Sequence, residues 1–141
     1  MISYSEFKQR IMFILNSNPL FEMANLSPKQ TNVQGGFIFI STRSGAHGCR
    51  IKFYPNLSNQ SKMLSVSIPD LIIVEDKLGK LISNQQRKEV IQFAKIFSKE
   101  LEDFWKYGNT WDDEKVTGFK ATLKLTTEQL ADASSITIKR K

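Results

Sequence analysis

Cysteine and histidine are nearly absent from this chain, each occurring once, as Cys49 and His47. A lone cysteine excludes an intramolecular disulfide, so the fold is not stapled like a small secreted domain. One Cys and one His also fall short of the four ligands of a usual structural zinc site. Long apolar runs are missing too, and nothing approaches the ~20 residues that a membrane helix needs. The opening Met1-Ile-Ser-Tyr-Ser-Glu6 lacks the basic start and unbroken apolar core of a secretory signal. Cytoplasmic residence without a membrane partner is the expectation. Glycine is sparse: neither Gly35-Gly36 nor Gly45-x-x-Gly48 has the strand, glycine-rich loop and lysine-bearing helix of a nucleotide site. No cofactor is expected. Acidic residues vanish between Met23 and Pro69, a stretch that carries Lys29, Arg43, Arg50, Lys52 and Lys62.

What is present suffices for a folded domain. The 141 residues are 40% hydrophobic and include ten phenylalanines, enough to bury a core. The formal net charge of +6 favours polyanionic partners and says nothing of the fold.

Ser3 and Glu6 read as a capping box before Phe7, Ile11, Ile14 and Leu15, which predicts an amino-terminal helix. Ser27-Pro-Lys-Gln30 is a turn or a helix start. Phe37–Ile40 is apolar on both faces and predicts a central strand. The next strand alternates, with Cys49, Ile51 and Phe53 on one face and Arg50, Lys52 and Tyr54 on the other. A third strand turns Leu64, Val66 and Ile68 inward and Ser65 and Ser67 outward, and Asp70–Val74 is a candidate fourth. Ser83 and Gln86 form a second capping box. Behind it Val90, Ala94, Phe97, Leu101 and Phe104 recur every three or four residues, predicting one long helix to Gly108 that covers the sheet.

The expected architecture is therefore α+β. An amino-terminal helix, a three- or four-stranded antiparallel sheet and a long packed helix form one domain over residues 1–108. Residues 109–141 are expected as a partly ordered extension: a short capped helix from Thr126, then a final strand followed by a basic tail in Ile136-Thr-Ile-Lys-Arg-Lys141.

The candidate site is the polar sheet face with its hairpin: Arg43, His47, Arg50, Lys52, Tyr54 and Lys62. Phosphate contacts from the cations would bind nucleic acid without reading its sequence, and Tyr54 would stack on an unpaired base. His47, the only imidazole, would be the acid–base group if the chain cleaved RNA. No second acid–base group is evident, so the catalytic set is left empty and a non-enzymatic role is favoured. Cys49 continues the apolar set of its strand and reads as a buried structural cysteine. Asp112-Asp-Glu114 could meet a cation, yet consecutive carboxylates diverge, and a helix start explains them as well. No metal site is assigned.

Ala46-His-Gly-Cys-Arg-Ile-Lys-Phe-Tyr54, Leu64-Ser-Val-Ser-Ile68 and Leu101-Glu-Asp-Phe-Trp105 together resemble a group of small uncharacterised bacterial proteins. Those carry a His-Gly-x-Arg-(Val/Ile)-Lys strand and lie near mobile elements and toxin–antitoxin loci. The likeness spans roughly residues 36–106; where that pattern often has proline, this chain has Cys49. It implies the strand–strand–strand–helix order and a bacterial or phage setting, and it assigns no catalytic residue. The leading expectation is a small basic binding protein acting on nucleic acid or on a nucleic-acid-associated protein. The alternatives are a ribonuclease toxin using His47, and an inhibitor or assembly factor for one protein partner. The oligomeric state is left open.

Overall fold

The computed structural model describes residues 23–43 and 48–141. The expected amino-terminal helix and His47 lie outside the described residues. Five strands succeed one another as an antiparallel meander: β1 (Met23–Leu26), β2 (Phe37–Ser41), β3 (Arg50–Tyr54), β4 (Leu64–Ser67) and β5 (Ile72–Asp76). A sixth, β6 (Lys139–Arg140), joins β5 in parallel, and the order in the sheet is β1-β2-β3-β4-β5-β6.

The α+β class is as expected, but the sheet has six strands rather than three or four, and it is mixed rather than wholly antiparallel. The physical reason lies at the edges. Met-Ala-Asn-Leu and Lys-Arg carry no clear alternation, and they pair through backbone hydrogen bonds, which any side chain permits.

The inner face is set by register. Ile38 lies opposite Phe53, and Phe53 opposite Leu64; Ile51 faces Val66, and Val66 faces Ile73. All are buried in one core. The chain enters β2 through Gly35, whose φ of 92° is open only to glycine at little cost, and Gly36, where a Cβ would collide with the Tyr54 carbonyl and the Phe53 ring.

The described residues also form five helices: α1 (Pro28–Thr31), α2 (Asn84–Ile96), α3 (Ser98–Tyr107), α4 (Asp113–Ala121) and α5 (Thr127–Ala131). The Ser83–Gln86 capping box opens α2, with Gln86 N–H donating to Ser83 Oγ at 3.1 Å and Ser83 N–H to Gln86 Oε1 at 3.0 Å. Val90, Phe93 and Ala94 are fully buried beneath it. The expected single helix is broken at Phe97 (φ −106°, ψ 21°) into α2 and α3. The apolar stripe runs on through Leu101 and Phe104, so its periodicity gave no sign of the break.

Residues 109–141, expected as an extension, contribute Val116, Leu123 and Leu125 to the same core as the sheet. Leu125 N–H donates to the Thr31 carbonyl at 3.0 Å, and Asn32 Nδ2 to the Leu125 carbonyl at 3.2 Å. Gln92, buried in α2, donates to the Gln129 carbonyl at 2.8 Å. Asp112 caps α4, its Oδ1 accepting from Lys115 N–H at 2.7 Å, and Asp113 and Glu114 occupy the first turn. The three acids thus start a helix, where negative charge is favourable.

Candidate polyanion-binding surface

The second face of the sheet carries the residues that strand alternation turned outward. Across its middle run Asn25, Phe39, Lys52, Ser65 and Glu75, each opposite the next. One step toward the β2–β3 connection, Arg50 lies opposite Ser67. Arg50 and Lys52 therefore share a face about 7 Å apart along β3, and both are half-buried. Glu75, the acid on this row, is paired with Lys77 at 3.2 Å. Among the described residues, no ion pair engages Arg50 or Lys52.

Lys141, the last residue of the Lys-Arg-Lys run, also comes here. The anchor of that run is Asp76, whose carboxylate accepts from Arg87 Nε at 2.9 Å, from Arg140 at 3.0 Å and from Leu78 N–H at 3.1 Å. Burial by itself would raise the Asp76 carboxyl. The hydrogen bonds from Arg87, Arg140 and Leu78, with the Arg87 charge, outweigh it and hold the group down to about 2. Arg87 is only 5% exposed and is satisfied further by the Ile82 and Gly79 carbonyls and by Asn84. This buried pair ties β5, α2 and β6 together. With Arg140 held, Lys141 N–H donates to the Ile73 carbonyl at 3.0 Å. A cleft of about 180 Å³ results at the end of the sheet, lined by Gly48, Cys49, Arg50, Ser67, Val74 and Lys141.

The sequence-derived residues divide. Arg50 and Lys52 stay together, as expected of period-two neighbours. Arg43 sits at the same end of the sheet but is turned onto α3: its N–H donates to the Trp105 carbonyl at 2.7 Å, and its guanidinium stands 5.8 Å from the Trp105 ring centroid. Lys62 belongs to the β3–β4 loop, at the opposite end of the strands from Arg50. Tyr54 is 5% exposed and lies edge-on to Phe39; a ring so covered has no open face for a base, so stacking by Tyr54 is removed from the site. His47 lies outside the described residues.

Cys49 Sγ points to the Leu101 carbonyl at 3.9 Å. Burial, with a smaller push from the Glu102 charge, raises its thiol to about 12 against a slight opposing effect of Lys106. The thiol stays protonated at neutral pH and is no nucleophile. Its side chain packs against the core, the structural part read from the sequence.

Lys141 was not named as a site residue, although the basic run at the end of the chain was expected to add contacts; its place in a cleft with Arg50 depends on an ion pair between residues 64 positions apart. A second recess of about 280 Å³ opens between α2, the β4–β5 turn and the approach to β6, where Lys95 and Lys139 stand with Asp70. Among the described residues no group of Cys, His, Asp and Glu is placed to hold a metal ion, and no helix is long and apolar enough to cross a membrane. No protein-family model, curated protein or solved structure matches the chain.

Proposed function

We propose that this chain is a small non-catalytic binding protein of the cytoplasm whose ligand is nucleic acid, engaged through the end of the second sheet face. The supporting observation is that Arg50 and Lys141 line one cleft at the end of the sheet, with Lys52 two residues from Arg50 on the same face of β3, and that none of the three has an ion-pair partner among the described residues. Cations in that state lose little by meeting phosphates, and each contact releases condensed counterions. The surface offers charge; Ser65 is buried, the Ser67 hydroxyl is engaged by Ile72, and Tyr54 is covered. Binding of this kind is backbone-directed and tolerant of sequence.

The test is anisotropy of labelled single-stranded RNA and duplex DNA across a salt series. Wild-type affinity is expected to fall steeply with salt. The Arg50→Ala/Lys52→Ala double variant is expected to bind more weakly and to lower the slope of log K against log salt by about one unit per cation removed. Lys62→Ala, at the far end of the strands, serves as the control that leaves both unchanged. Equal slopes in wild type and double variant overturn the proposal. Shortening of the RNA during titration replaces it with the ribonuclease reading and His47. Absence of binding to either nucleic acid favours a protein partner.

A further inference from the structure

The cleft beside β6 has a more specific chemistry than the face around it. Arg50 reaches it from β3 and Lys141 from beyond β6, two cations brought together from opposite sides of β4 and β5. No side chain of the described residues lining it is acidic. Gly48 is exposed at its rim, and a Cβ built there would meet nothing within 4 Å, so a ligand can approach the backbone closely. The Ser67 hydroxyl is already committed, donating to the Ile72 carbonyl and accepting from Ile72 N–H, each at 3.2 Å. It shapes the floor instead of binding. Cys49 and Val74 complete an uncharged wall.

Charge narrows the ligand. The cleft, of about 180 Å³, has room for a phosphate group. A terminal phosphate carries about −1.5 to −2 charge at neutral pH, whereas a backbone phosphodiester carries one. Two cations lining one cleft match the former.

We infer that this cleft is a subsite for the terminal phosphate of a nucleic-acid strand, held between Arg50 and Lys141. The inference rests on the nucleic-acid reading above and adds end recognition to it. The guanidinium supplies paired N–H donors in a plane, suited to two phosphate oxygens, and the lysine supplies a point charge.

The experiment compares two short single-stranded RNAs of one sequence, labelled at the 3′ end, one with a 5′-phosphate and one with a 5′-hydroxyl. Thermal melts of the full chain in inorganic phosphate, at matched ionic strength in chloride, accompany them. The phosphorylated strand is expected to bind about tenfold more tightly, the worth of one good charge-assisted contact. Arg50→Ala and Lys141→Ala should each erase most of that advantage. Lys52→Ala, outside the cleft, should weaken both strands alike and keep it. Equal, salt-sensitive binding of both strands overturns the end-recognition inference while the nucleic-acid reading survives. If neither strand binds, the nucleic-acid reading falls, and end recognition falls with it. A rise in Tm with phosphate that Lys141→Ala abolishes would then leave a bare phosphate site of another ligand. An advantage that persists in Lys141→Ala and Arg50→Ala places the terminal phosphate elsewhere and overturns the assignment of this cleft.

Discussion

Ser65 is fully buried on the second sheet face, between Lys52 and Glu75, and its Oγ meets no hydrogen-bond partner among the described residues. A buried hydroxyl left unsatisfied costs about 1–3 kcal/mol. Ser65→Ala is therefore expected to stabilise the fold by about 1 kcal/mol in urea unfolding; a loss of stability would show that the hydroxyl has a partner. Asp76 is the opposite case, a partly buried carboxylate with every partner in place. Its folded value of about 2 lies below the ordinary 3.8, so its contribution is complete above the ordinary carboxylate range and is lost as pH falls through about 2. Asp76→Asn should cost on the order of 3 kcal/mol near neutrality, because Arg87 is left buried and unpaired. The gap to wild type should close between about pH 5 and pH 2, and a gap independent of pH would sink the account. At this scale the sequence was legible where partners are local. The Ser83–Gln86 box is three residues wide and was read directly. The Asp76–Arg87–Arg140 set was not, because nothing in a charge pattern tells a solvated Asp from one that holds two arginines.

At the scale of elements, strong periodicity was readable and weak pairing was not. β3 and β4 alternate, and their inner residues are those expected. α2 and α3 were read as one helix because the stripe keeps its phase across Phe97. The segment after Gly108 reads as polar and basic, with Lys115, Lys120 and Lys124 spread among its apolar residues, yet Leu123 and Leu125 are 0% and 1% exposed. Their spacing of two sits in a connection between α4 and α5, where neither helical nor strand period applies. Leu125→Ala is expected to cost about 2–5 kcal/mol. Far-ultraviolet circular dichroism and Trp111 fluorescence, read in a Trp105→Phe background, should report a single shared transition, shifted together. A loss confined to the fluorescence signal would mean that residues 109–141 unfold as a separate unit.

Over the whole molecule, composition determined the broad outcome. Forty per cent apolar residues and one cysteine call for a packed core without an intramolecular disulfide. Strand alternation went further and put Arg50 and Lys52 side by side. Those are consequences of local geometry: a side chain's face follows from its parity, and parity is written in the order of residues. The tertiary structure alone decided that Tyr54 is covered and that Lys141 lines one cleft with Arg50. Each of these depends on where a distant segment packs, and such packing is settled by the core and by ion pairs that no neighbouring residue records.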